Sequence, residues 1–279
     1  MSDTPCEHML DDGDKGEDAY LDAPDGVRLR YRDEGPREAP AIVFSNSLGT
    51  DLRMWEPQAR ALAGRFRVVR YDTRGHGRSG APPGPYTLDQ LGGDLLALLD
   101  TPGIARAHVC GLSLGGMTAL WLAAHHPERV AHAVFANTAA RIGSEDSWEA
   151  RIALVRAGGM AAVREVAVSR FFSAAFRAHH PDLTQHIGAM VEATPPQGYI
   201  GCCEALRDAD LHDAVARITA PSLVIGGALD ESTPPAQARA LHAAIRGSEL
   251  LILPDTAHLS NLEQAEAFTA RLRACFEPA

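Results

Sequence analysis

The apolar and polar residues of this chain follow two alternating rhythms. Val27 to Arg32 (VRLRYR) alternates with period two, as a half-exposed strand does. Ala41 to Phe44 is a short apolar run that ends in Ser45-Asn46-Ser47. Arg67 to Tyr71, Ala107 to Cys110, Val130 to Ala136, Ser222 to Ile225 and Glu249 to Leu253 read as further strands. Leu88 to Leu99 and Leu114 to His125 carry apolar residues at helical spacing, and helices at Pro235 to Ile245 and Asn261 to Cys275 follow the last strands. Strands alternating with helices predict a parallel sheet with helices on both faces. Between Arg141 and Arg217 the alternation stops. That stretch is rich in Ala, Arg, Phe and Met at helical spacing and has no strand-like run, so it reads as a helical insertion after the sixth strand.

Composition refines this outline. A chain of 279 residues suits one α/β domain with an insertion: a core over 23–140 and 218–279 and a cap over 141–217. The formal net charge of −10 argues against a nucleic-acid partner. Much of it lies at the N-terminus, where Asp3, Glu7, Asp11, Asp12, Asp14, Glu17 and Asp18 face only Lys15, and residues 1–22 are expected to form a solvated tail. Lys15 is the sole lysine beside 25 arginines, a codon bias that speaks of source rather than function. Cys6, Cys110, Cys202, Cys203 and Cys275 are odd in number and lack CxxC spacing, as expected of reduced thiols in a cytoplasmic protein. The N-terminus lacks signal-peptide character and no apolar run is long enough to span a bilayer, so no membrane partner is expected. The oligomeric state stays open, a homo-oligomer included.

The chemistry gathers at strand ends. Gly111-Leu112-Ser113-Leu114-Gly115 follows a strand and opens a helix, the context of a nucleophile elbow. The flanking glycines are required because a Cβ there would strike neighbouring backbone. A serine hydroxyl needs a base, and the base needs an orienting acid. After the insertion, Ser222 to Ile225 runs through Gly226-Gly227 to Asp230, and Glu249 to Leu253 leads to His258. Asp230 is the favoured acid; Glu231 and Asp255 are the alternatives. The oxyanion hole needs two amides. One is Leu114, directly after the serine, and the other is assigned to Leu48 in Asn46-Ser47-Leu48-Gly49.

Two further motifs point elsewhere and are set aside. Gly75-His76-Gly77-Arg78-Ser79-Gly80 satisfies GxGxxG, but Ala81-Pro82-Pro83-Gly84-Pro85 cannot open the helix that a dinucleotide site requires. His125-His126 and His179-His180 lack metal-ligand spacing, precede proline, and read as helix ends. No cofactor and no metal are expected.

On these residues the chain resembles the 3-oxoadipate enol-lactonases, α/β-hydrolases of bacterial aromatic catabolism, from about Ala23 to the C-terminus. The more specific segments are Asn46-Ser47-Leu48-Gly49-Thr50, Leu112-Ser113-Leu114-Gly115-Gly116-Met117, Gly198-Tyr199-Ile200-Gly201-Cys202-Cys203-Glu204-Ala205, and His258-Leu259-Ser260-Asn261-Leu262-Glu263-Gln264. Asn46-Ser47 stands where many hydrolases carry His-Gly. The resemblance implies an α/β-hydrolase fold with a mostly parallel eight-stranded sheet, and opening of a small anionic lactone, 3-oxoadipate enol-lactone, in the β-ketoadipate pathway of aromatic degradation. The free carboxylate of that substrate needs a charged or donating partner. Trp148, Arg151, Arg170 and Tyr199 are the candidates in the insertion. Other serine carboxylesterases, lactonases and cofactor-free perhydrolases on the same scaffold are the competing readings, and a non-enzymatic receptor is a third. Epoxide hydrolases and dehalogenases carry aspartate where Ser113 stands.

Overall fold

The computed structural model describes residues 18–277. Eight strands form one sheet: β1 (Ala19–Asp22), β2 (Arg28–Glu34), β3 (Ala41–Ser45), β4 (Arg67–Tyr71), β5 (Ala107–Leu112), β6 (Val130–Ala136), β7 (Ser222–Gly227) and β8 (Glu249–Leu253). Their spatial order is β1-β2-β4-β3-β5-β6-β7-β8. The β1–β2 and β2–β4 pairs are antiparallel, and every pair from β4 to β8 is parallel. The expected α/β architecture with a mostly parallel eight-stranded sheet is therefore present.

The strands β3, β5 and β7 are buried along their whole length, which explains why they read as continuous apolar runs rather than alternations. In β4 (RVVRY) all five positions are buried as well, and the two arginines lie inside with partners. Arg67 pairs with Asp33 at 2.7 Å, and Arg70 with Glu34 at 2.6 Å and Glu56 at 2.7 Å.

The helices are α1 (Glu56–Leu62), α2 (Leu88–Asp100), α3 (Leu114–His125), α4 (Glu145–Gly158), α5 (Ala161–Phe171), α6 (Ala174–His179), α7 (Pro181–Ala193), α8 (Pro196–Asp208), α9 (His212–Val215), α10 (Pro235–Ala244), α11 (Ser260–Glu263) and α12 (Ala265–Phe276). The six from α4 to α9 occupy the interval between β6 and β7. Local signals set their starts: Thr87 and Gln90 form a capping box on α2, Ser144 and Ser147 form one on α4, and prolines open α7, α8 and α10. His125 and His179 are the last residues of α3 and α6, at the helix ends where their sequence context put them. Among the described residues no helix is long and apolar enough to cross a membrane.

One expectation changes, and one helix is added. Composition predicts a solvated tail through residue 22, but Ala19–Asp22 is a strand paired with β2, and Leu21 is buried. Asp18 anchors it through Arg30 at 2.7 Å, Arg32 at 3.0 Å and Arg78 at 2.7 Å. The acid that counted toward a solvated tail is thus an ion-pair partner of basic residues far along the chain. The rest of the expected tail, residues 1–17, lies outside the described residues. The helix α1 is also new, because seven residues are too few to display a period.

Candidate active site

The chemical residues sit just past the carboxyl ends of five strands, where open parallel sheets present functional groups. Ser113 follows β5 with φ 59° and ψ −115°, a left-handed conformation that L side chains rarely adopt. The strain is held from all sides. Ser113 N donates to Ala136 O at 3.0 Å, and Ser113 O accepts from Met117 N at 3.0 Å and Thr138 Oγ1 at 2.9 Å. A Cβ on Gly111 would collide with the Gly115 carbonyl, and one on Gly115 with the Ser45 carbonyl. Both glycines are therefore demanded by contact, as the motif implied.

The sequence left three acids open; the geometry selects one. Asp230 Oδ2 accepts from His258 Nδ1 at 2.8 Å, from Thr233 Oγ1 at 2.7 Å and from Asn137 Nδ2 at 2.9 Å. Its Oδ1 accepts from the Ser232 and Thr233 amides at 2.8 and 3.0 Å. Burial alone would raise the pKa of this carboxyl. The His258 charge and these donors outweigh burial and hold it at about 2. Asp255 is exposed in the turn before His258, whereas Glu231 reaches the same cavity without bonding the ring.

Asn137 went unread in the sequence. It follows β6 with φ 44°, donates also to Ala257 O at 3.2 Å, and accepts from Ser260 Oγ. A polar residue directly after a buried strand was the signal available. Glu263 is the second such residue: its carboxylate accepts from Ala257 N at 2.9 Å and Ser173 N at 3.2 Å. It fastens the His258 loop to the helical insertion.

The loop after β3 lies against the elbow. Asn46 O accepts from Gly115 N at 2.9 Å, and Asn46 Nδ2 donates to Tyr71 O at 2.6 Å. Gly49 N donates to His76 Nε2 at 2.9 Å, so the His76 proton sits on Nδ1, 3.2 Å from Arg74 O. Burial pushes the His76 pKa down to about 4, and the ring is neutral at physiological pH. Ser47 N points at Met54 Sδ and Thr50 N at Ser47 O, which leaves the Leu48 amide as the uncommitted donor of this loop among the described residues. Leu114 is the first residue of α3, where an N–H has no partner within the helix. The segment from Gly75 to Gly80 is a turn wrapped round Asp72, whose carboxylate accepts from Leu52 N and Arg78 N; the next helix begins only at Leu88.

Ser113, His258 and Leu48 open into one cavity of about 260 Å³. The insertion supplies much of its wall. Trp148 and Arg151 of α4, Arg170 of α5 and Tyr199 of α8, the four residues proposed from sequence, all line it. Arg151 Nη1 donates to Tyr199 Oη at 3.2 Å, and Trp148 Nε1 donates to Ile142 O at 2.7 Å. The Phe171 ring lies parallel to that of His258, with centroids 6.0 Å apart. A hydroxyl on a strained turn, an imidazole held by a buried carboxylate, and arginines in the wall suit attack on the carbonyl of a small anion.

The sequence profile of the α/β-hydrolase fold matches residues 40–265, and the chain belongs to that family. It is 43% identical to 3-oxoadipate enol-lactonase 2 of Acinetobacter baylyi, over 89% of this chain and 92% of the relative. The crystal structure of the enol-lactonase from Burkholderia xenovorans LB400 is 46% identical, with a TM-score of 0.90 over 92% of this chain and 98% of that one. A thermophilic esterase from Thermogutta terrifontis, solved with malate bound, shares 27% identity at a TM-score of 0.87, over 92% and 97% of the two chains. Within the α/β hydrolases the chain falls among the 3-oxoadipate enol-lactonases, and it is a hydrolase.

Proposed function

We propose that the protein opens 3-oxoadipate enol-lactone to 3-oxoadipate by a serine mechanism, in the β-ketoadipate pathway that degrades protocatechuate and catechol. The observation that carries this reading is the shared cavity, lined by Ser113, the Asp230-held His258, Arg151 and Arg170. His258 Nε2 takes the Ser113 proton as Oγ attacks the lactone carbonyl. The oxyanion rests on the Leu48 and Leu114 amides. The ring C–O bond breaks, and the enol oxygen leaves with the proton from His258. An enol is a better leaving group than an amine and needs less help from the acid. Water, deprotonated by His258, then releases the acyl group, Ser113 recovers its proton, and the enol tautomerises to the ketone. Trp148 walls the cavity, and an arginine of the insertion pairs with the substrate carboxylate, a charge that would be costly to bury alone. The four described cysteines are free thiols, in keeping with a cytoplasmic setting.

Steady-state turnover of enzymatically generated enol-lactone beside a simple aryl ester tests the reading. The enol-lactone is the expected preferred substrate, and a strong preference for the aryl ester overturns the assignment. Ser113→Ala is expected to lower kcat by on the order of 10⁴ or more. A loss under about tenfold overturns the serine mechanism.

A further inference from the structure

The loop after β3 holds a group that the mechanism has not used. Ser47 lines the cavity with Ser113 and Leu48, is 2% exposed, and carries a buried Oγ with no hydrogen-bond partner among the described residues. Its backbone is engaged: N faces Met54 Sδ at 3.3 Å, and O accepts from Thr50 Oγ1 at 2.7 Å. A buried hydroxyl without a partner costs free energy, and folded proteins rarely tolerate one. The preceding residues abut the elbow, since Asn46 O accepts from Gly115 N and Ser45 O crowds the Cα of Gly115. Ser47 is thus the next residue along a loop already in contact with the turn that bears the nucleophile. The amide that follows it is the Leu48 donor.

We propose that the Ser47 hydroxyl is a third oxyanion donor, pointing its proton at the lactone or ester carbonyl oxygen beside the Leu48 and Leu114 amides. The inference rests on the serine-hydrolase reading above. It explains why serine can stand at this position, where a glycine supplies only backbone. It also explains why the hydroxyl has no acceptor within the protein: its acceptor arrives with the substrate and gains negative charge in the transition state. A donor whose bond strengthens in that way acts on kcat more than on KM.

The test is Ser47→Ala, with Ser47→Cys as a slightly larger, weaker donor. Ser47→Ala is expected to lower kcat by about 10- to 100-fold with KM changed less than about threefold, and Ser47→Cys to fall between it and wild type. The affinity of a boronic acid that forms a tetrahedral adduct on Ser113 is expected to drop with kcat. Tm should stay level or rise, because no native bond is removed. A kcat within twofold of wild type, or a loss of kcat that comes with a lower Tm, overturns the proposal and leaves the hydroxyl a structural group. Ser113→Ala is assayed in parallel. Activity that survives in Ser113→Ala overturns the hydrolase mechanism itself, whereas dependence on Ser113 with an unaffected Ser47→Ala overturns only the third donor.

Discussion

Replacing Asp230 with asparagine changes one oxygen for an NH₂, and the surroundings decide where that NH₂ goes. The carboxylate accepts five hydrogen bonds, two of them on Oδ1 from the Ser232 and Thr233 amides. Those amides are fixed in a turn and cannot rotate away. An NH₂ facing them would strand two buried donors, at about 1–3 kcal/mol each. On the Oδ2 side the partners are His258 Nδ1, Thr233 Oγ1 and the Asn137 amide. There the hydroxyl can turn and the imidazole can change tautomer, so only the Asn137 amide loses an acceptor, and it keeps Ala257 O. The NH₂ therefore settles against His258, and Nδ1 becomes an acceptor. The ring proton moves to Nε2, the atom that should accept from Ser113. Geometry is kept but the base carries its proton on the wrong nitrogen, and kcat should fall by on the order of 10⁴.

Stability should fall too. The Asp230 pKa is about 2 in the fold against an ordinary value of roughly 3.9, a difference worth about 2 kcal/mol. Because the folded value is the lower one, this contribution is present at neutral pH and disappears as the pH falls through about 2. Asp230→Asn should lose at pH 7 the part of it that the fixed hydrogen-bond donors supply. Turnover of the enol-lactone and urea unfolding, both at pH 7, measure the two effects. Activity within tenfold of wild type would refute the tautomer argument.

The remaining predictions concern the cavity wall and acid stability. If an insertion arginine reads the carboxylate, Arg151→Gln or Arg170→Gln should raise KM for the acid substrate by about tenfold or more, the scale of a charge-assisted hydrogen bond, and leave its methyl ester nearly unaffected; variants that treat acid and ester alike place the partner elsewhere. His76 is buried neutral with its pKa at about 4, below its ordinary value, so the unfolded chain binds the extra proton and stability declines as pH drops from about 6.5 to 4, by up to about 3 kcal/mol for this group. His76→Gln keeps an acceptor for Gly49 N but does not titrate, and unfolding midpoints at pH 7 and 4.5 should differ less in it than in wild type; an unchanged difference refutes the attribution.

What could be read in the sequence follows a physical division. The strands buried on both faces, β3, β5 and β7, announce themselves as apolar runs, and their carboxyl ends then indicate where chemistry must lie. Ser113 adds the local signature of glycines demanded by a tight turn. Asp230 and His258 needed only an order along the chain and two strand ends. Asn137 and Glu263 gave no such signal. Their roles depend on partners far along the chain, 93 residues away in the case of Asn137 and Asp230, and 90 residues away in that of Glu263 and Ser173. Asp18 failed for the same reason: its charge looked solvated until Arg30, Arg32 and Arg78 closed round it. Local pattern reports what a residue does to its own segment, and long-range ion pairs and hydrogen bonds lie beyond it.

The helical insertion is joined to the base as well as to the substrate wall. Leu259 N, beside His258, donates to Phe171 O at 2.9 Å, and Glu263 links Ala257 N to Ser173 N across the same junction. Phe171 stacks on the imidazole, and its neighbour Arg170 faces the cavity. Residues 170–173, at and just past the end of α5, therefore carry a wall residue, a ring beside His258 and an anchor for the His258 loop. A rigid swing of the whole insertion would break these bonds and tilt His258. Such an arrangement couples specificity and rate at the end of α5: Phe171→Ala, which removes the ring beside His258, should lower kcat, where Trp148→Ala should act through KM for the enol-lactone, and a Phe171→Ala variant changed in KM alone refutes the coupling.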